Sequence, residues 1–189
     1  MAKYPKNEEL DDQLILAVKS NWVQQVSALL HHNAHVDCKE KTTPLLELAL
    51  IHKSRATVPL LLNAGVNVNY KNFFPLIYVC MQNDLELTNL LLRAGAHIDC
   101  KNSHGLTPLM IASIYGYFDL VSLLVDAGAQ LNIKDYHKKT ALNHALEYSK
   151  RFKAQRKKHY LEKENKSKLI ADLLKSKIQN NRSPICGII

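Results

Sequence analysis

One short pattern recurs along this chain of 189 residues and narrows what it can fold into. The segments Leu61–Asn69, Leu91–Asp99 and Leu124–Asn132 all run from a leucine through Ala-Gly to an apolar residue followed by Asn or Asp. Their glycines, Gly65, Gly95 and Gly128, recur at nearly equal intervals. A fourth copy, Leu29–Asp37, carries Asn33 where the glycine belongs, one such interval before Gly65. Asn is the usual second choice for the left-handed residue that follows a helix C-cap, so the exchange keeps the local geometry. Self-similarity at this period means a stack of small units, none of which can bury its apolar face alone.

Upstream of each glycine stands a helix-start signal. Thr43–Ala49 reads TPLLELA and Thr107–Ala112 reads TPLMIA, with weaker copies FPLIYV from Phe74 and TALNHA from Thr140. A Thr hydroxyl can cap free backbone N–H groups, and Pro at the first helical position gives up an N–H that would be unbonded there. The stretch from Pro75 to Gly95, matched in length by that from Pro108 to Gly128, has room for two antiparallel helices and a tight turn. Leu109, Ala112, Leu120, Val121, Leu123 and Leu124 are then expected to face neighbouring units.

These markers, TPLxxA followed by LLxxAGAxxN at about 33-residue spacing, resemble the ankyrin-repeat family over roughly Asp11 to Lys177. The resemblance implies an all-α solenoid of about five helix-turn-helix units joined by short β-turn fingers. The expected units lie near 12–41, 42–72, 73–105, 106–138 and 139–178, with 1–11 as lead-in, 179–189 as a flexible tail and Asp12 as first N-cap. The family usually carries a histidine two residues after the proline. Here Leu46, Ile77, Met110 and Asn143 stand there, so that network is expected to be missing. The first two fingers, from Asn33 to Pro44 and from Gly65 to Pro75, are shorter than the third, from Gly95 to Pro108. Pro59 should delay its helix to begin near Thr57. In the last unit a basic insertion, about 150–167, should prolong both helices.

Charge separates body from end. Residues 150–189 hold 12 basic and 3 acidic side chains, leaving 13 basic and 14 acidic before them. The run Lys150, Arg151, Lys153, Arg156, Lys157, Lys158 has three open readings: a solvated helix face, a patch for a membrane surface or acidic partner, or a nuclear-import or nucleic-acid patch. Nucleic acid is disfavoured because the segment lacks a repeated aromatic platform. Cys186-Gly187-Ile188-Ile189 has the C-a-a-X form of a prenylation signal, behind Lys175, Lys177 and Arg182. It implies lipidation at Cys186, a prenyltransferase and an anionic membrane surface as partners; the alternative is that Ile185, Ile188 and Ile189 pack on the last unit.

Nothing in the chain reads as an active site: there is no P-loop, GxSxG, HExxH or dinucleotide glycine pattern. The chain is therefore expected to be non-catalytic. His35 and Cys38 recur as His97 and Cys100, but equivalent positions two units apart are too distant for one zinc, so no metal and no cofactor is expected. Cys38, Cys80, Cys100 and Cys186 form no C-x-x-C pair and read as reduced thiols, with Cys80 in a core. The polar start lacks the apolar core of a signal peptide, and a cytoplasmic, monomeric protein is expected, membrane-associated if Cys186 is lipidated.

The resemblance implies a partner protein held on finger tips and first helices. Carried onto this sequence, those positions are Lys101, Ser103, His104, Leu106, Ile114 and Tyr115, then Lys134, Tyr136, His137 and Lys139, with Tyr70, Lys71 and Phe73 in the shorter finger. A short ankyrin body with a C-a-a-X end also resembles effectors that intracellular bacteria deliver into host cells, while a eukaryotic or viral ankyrin protein fits nearly as well. The second functional reading is an ankyrin inhibitor or cofactor that masks a transcription factor, with the basic insertion as import signal.

Overall fold

In each of the first four repeats the chain turns back twice through a left-handed residue, and these turns mark off the helix pairs. The computed structural model describes residues 7–70, 74–153 and 158–180. Its pairs are α1 (Asn7–Lys19) with α2 (Val23–His31), α3 (Leu45–Ile51) with α4 (Val58–Asn63), and α5 (Pro75–Met81) with α6 (Leu85–Arg93). The last two are α7 (Pro108–Tyr115) with α8 (Phe118–Asp126) and α9 (Ala141–Lys153) with α10 (Lys158–Asn180). Within a pair the turn is made by Asn21, Lys53, Asn83 or Gly116, with φ of 56°, 57°, 56° and 71°. After the second helix it is made by Asn33, Gly65, Gly95 or Gly128, with φ of 62°, 83°, 85° and 93°. The second set is the glycine position of the sequence pattern, Asn33 included.

The chain forms two compact units, residues 1–75 with 93–96, and residues 76–92 with 97–189. In the first, α1 packs against α2 and α3, burying Leu14, Val18, Val26, Leu45, Leu46, Val58 and Leu61. In the second, α7 packs on α8 and α9, and α10 on α8 and α9, around Leu109, Met110, Leu120, Val121, Leu124, Ile170 and Leu174. Leu123 is only half-buried. Burial of each such side chain contributes roughly 1.5–3 kcal/mol.

The helix starts follow their sequence signals unequally. Thr107 caps α7 through its hydroxyl, which accepts the Met110 N–H at 3.3 Å, with Pro108 just inside the helix. Thr57 stands at the N-cap of α4, with Pro59 in its first turn, as the proline required. Thr43 does not cap α3. The short first finger closes instead as a two-stranded antiparallel hairpin, β1 (Lys39–Glu40) with β2 (Thr43–Pro44), and this pairing draws Thr43 and Pro44 into a strand. Asp12 is no N-cap either, because α1 already begins at Asn7. In the last pair α9 and α10 run 13 and 23 residues, against 8 and 9 for α7 and α8.

The closing Asp of the repeat pattern bonds one finger base to the next. Asp37 Oδ1 accepts the Asn67 N–H at 2.8 Å in the first unit, and Asp99 Oδ1 accepts the Gln130 N–H at 3.1 Å in the second. No finger precedes the first within the described residues, and Asp11 of α1 takes the same part: its Oδ1 accepts the His35 N–H at 2.7 Å while Oδ2 meets His35 Nδ1 at 3.0 Å. Helix α1 thus supplies here the carboxylate that a finger supplies in the later repeats.

Gly116 is bound by both conformation and space: a Cβ there would lie 2.6 Å from Tyr148 Cε1. Gly116→Ala should cost about 2 kcal/mol in urea unfolding, the sum of left-handed strain and overpacking. Lys53→Gly, which relieves strain at an equivalent turn, should be neutral or stabilising by about 0.5 kcal/mol.

Candidate protein-binding face

In the second unit the fingers between helix pairs are rigid because side-chain carbonyls close their backbones. Asn102 Oδ1 accepts the N–H groups of His104 and Leu106 at 2.9 and 3.0 Å, and the Asn102 N–H donates to the Leu106 carbonyl at 3.1 Å. One repeat later Asp135 has the same device: Oδ1 accepts the N–H groups of His137 and Lys139 at 2.8 and 2.9 Å, and its own N–H donates to the Lys139 carbonyl at 3.0 Å. Short polar side chains that bond nearby backbone N–H groups favour such turns over helix or strand.

Asp135 goes further than its counterpart. Its side chain is 1% exposed, and Oδ2 meets His144 Nε2 of α9 at 2.8 Å. Burial pushes this carboxyl's pKa up, yet the bonds from Lys139, His144 and His137 outweigh that and hold it below its ordinary value of 3.8. The expected histidine network is indeed displaced: Leu46, Ile77 and Met110 are buried apolar residues, and Asn143 instead accepts the Thr140 N–H and hydroxyl at 2.9 Å each. His144, one position later, performs the finger-to-helix bonding that the sequence reading missed. The equivalent repeat positions of Asn102 and Asp135 were the available signal.

The expected contact residues divide by position. Lys101, Ser103, His104, Tyr115, Lys134, Tyr136 and His137 are exposed; Leu106, Ile114 and Lys139 are half-buried. Tyr136 is the most open large apolar side chain among the described residues at 71%, and its ring lies over Gly105, where a Cβ would meet Cδ1 at 2.9 Å. Lys101 Nζ donates to the Lys134 carbonyl at 3.2 Å, tying one finger to the next. Tyr115 is 44% exposed and stacks on Tyr117 with ring centroids 5.5 Å apart and planes at 19°. Lys139 is held by Glu147 at 2.7 Å.

Tyr70, in the first unit, is not the open aromatic that its finger position suggested. Its hydroxyl is buried, and burial, together with the negative charge of Asp37, raises the phenol's pKa above the usual range. Lys71 and Phe73 lie outside the described residues, as do Arg156, Lys157 and Cys186; Lys150 is exposed. The structure gives α9 and α10 through Arg151, Lys153 and Lys158 as helical backbone only.

The thiols are shielded. Burial is the main cause that pushes Cys38, Cys80 and Cys100 up to about 12, so all three stay protonated at neutral pH. Cys80 is fully buried, with Thr88 Oγ1 at 3.9 Å, as its helix-face position implied. Among the described residues no three His, Cys, Asp or Glu side chains gather as a metal would need, and His35 is bonded to Asp11.

This build of paired helices and carboxamide- or carboxylate-closed fingers matches a known repeat. The family model for ankyrin repeats (3 copies) matches residues 76–155. Residues 76–155, somewhat under half of the chain, are thus similar to ankyrin repeats. A Fowlpox virus (strain NVSL) protein named as ankyrin repeat protein FPV222 is 28% identical over 116 residues, 60% of this chain and 16% of the relative. Another from the same virus, named as ankyrin repeat protein FPV031, is 31% identical over 110 residues, 54% of this chain and 32% of the relative. The chain therefore spans well under half the length of these curated relatives. Ankyrin repeats are generally modules for protein–protein interaction, typically without catalysis, and the all-α fold with its two-stranded hairpin agrees with the ankyrin architecture.

Asp135→Ala should cost about 2 kcal/mol of unfolding free energy at neutral pH, since two part-buried N–H groups and a histidine lose a charged acceptor. Because the folded pKa is lowered, that stabilisation is complete above the ordinary value of 3.8 and drains away as pH falls through the still lower folded value. The gap between native and Asp135→Ala unfolding curves should accordingly narrow below about pH 4. For the thiols, native Cys38, Cys80 and Cys100 should react with a thiol-modifying disulfide at least roughly tenfold more slowly than in urea, followed by mass spectrometry.

Proposed function

We propose that this ankyrin chain is a non-catalytic binding protein whose partner docks on the fingers and first helices of the second unit. The observation that carries the reading is Tyr136, a large ring left 71% exposed on a finger whose backbone bonds are already closed. A rigid aromatic in that position loses little conformational freedom on binding, which is the property of interface anchors. Tyr115, held by its stack on Tyr117, supplies a second such ring at the end of α7. The sequence reading of the face supports the same residues.

Photo-crosslinking tests this directly. With a benzophenone amino acid placed at Tyr136 or Tyr115, partner proteins should be captured from cell extract, and unlabelled chain should compete them away. The same group at Ser122 on α8 should capture little. Adducts from Ser122 alone would place binding on the second helices and sink the reading. Double substitution of Tyr115 and Tyr136 by Ala should weaken capture by about 2 kcal/mol or more while leaving the unfolding midpoint nearly unchanged.

A further inference from the structure

We propose that the adjoining fingers of residues 97–107 and 129–140 take an acidic segment of the partner protein, with Lys101, Lys134 and Lys138 as counter-charges and the Tyr136 ring as an apolar floor. This rests on the binding reading above and names the chemistry of what binds there.

Charge on these fingers is sorted by direction. They contain just two acidic residues, Asp99 and Asp135. Each is committed to the fold: Asp99 Oδ1 accepts the Gln130 N–H, and Asp135 is buried beneath bonds from His137, Lys139 and His144. The carboxylates thus serve the scaffold, and the basic residues are left outside. Lys139 is neutralised by Glu147 at 2.7 Å. Lys134 and Lys138 are exposed, and neither makes an ion pair with a carboxylate among the described residues. Lys101 is positioned by its bond to the Lys134 carbonyl, a contact that leaves its positive charge uncompensated.

The arrangement suits a peptide better than a nucleic-acid strand. A strand reader stacks successive bases on several rings and collects many phosphates. Here three ammonium groups accompany one open tyrosine ring among exposed histidines, enough for two or three carboxylates and one apolar side chain. Lys138 adds a constraint of its own. It holds the left-handed position of its turn, at φ 60°, and its N–H donates to the Asp135 carbonyl at 3.0 Å, so the buried Asp135 fixes the turn that presents it. Exposed like charges of this kind govern association rate and partner choice, and their effect is screened by salt.

The test uses the full chain and a fluorescent peptide of about 12 residues alternating Glu with Leu and Tyr, beside the same peptide with every Glu replaced by Gln. Anisotropy should show the Glu peptide binding at least roughly tenfold more tightly at about 0.05 M salt, with the preference fading near 0.5 M. Combined Lys101→Glu, Lys134→Glu and Lys138→Glu, checked for an unchanged unfolding midpoint, should abolish the preference. Tyr136→Ala should weaken both peptides and leave the preference intact. Equal affinity for the two peptides, a preference that survives the triple variant, or tighter binding of an oligothymidylate of similar length would each overturn the acidic assignment. Loss of crosslinks from Tyr136 and Tyr115 would overturn the binding reading itself; crosslinks without the Glu preference would overturn only this inference.

Discussion

The first four helix pairs hang on two left-handed residues each, because a helix pair can form only where the chain reverses sharply enough to bring both apolar faces together. Glycine takes that conformation freely, whereas Asn and Lys carry a penalty of roughly 1 kcal/mol. The chain nonetheless places Asn21, Lys53, Asn33 and Asn83 there, which shows how strongly packing overrides local preference. The leucines of α2, α4, α6 and α8 can be buried only if both reversals hold. Polar bonds then add to what packing begins: the carboxylates of Asp11, Asp37 and Asp99 accept exposed finger-base N–H groups and tie each one to the element before it.

Much of this could be read from the residues, and the parts that could not share a cause. The glycine position, the Asn33 exchange, the Thr107-Pro108 start and the delayed helix at Pro59 are local signals, each governed by a few neighbouring backbone atoms. The Asp11–His35 bonds, Thr43 drawn into a hairpin and the Asp135–His144 bond depend on what lies opposite in space, and no period in the sequence encodes that. The turns at Lys53 and Asn83 were hidden for a different reason: neither residue announces a left-handed conformation as glycine does. Tyr70 shows the limit of carrying a family position across, since its finger is short and Asp37 stands beside its ring hydroxyl.

Within the candidate face, the sequence pointed to residues whose exposure the structure now gives, but not to the contacts that hold them. Lys101, Tyr115, Tyr136 and His137 are open as a contact surface requires, yet nothing in their spacing foretold that Lys101 would brace the next finger or that Tyr136 would rest on Gly105. Those contacts turn a row of flexible side chains into a preorganised surface, and preorganisation rather than area sets how much of a contact appears as affinity.

The two reversals also reveal where this architecture tolerates change. From Asn21 to Asn33, Lys53 to Gly65, Asn83 to Gly95 and Gly116 to Gly128 the interval is identical every time. From Asn33 to Lys53, Gly65 to Asn83 and Gly95 to Gly116 it is different in each repeat. In these four repeats the differences in length therefore fall on one side, the side that bears the finger and first helix, whereas the last pair is lengthened in both helices. In those four repeats the second helix and its turns act as a fixed measure, so the finger side can be lengthened or shortened while the register of the supporting helices stays the same.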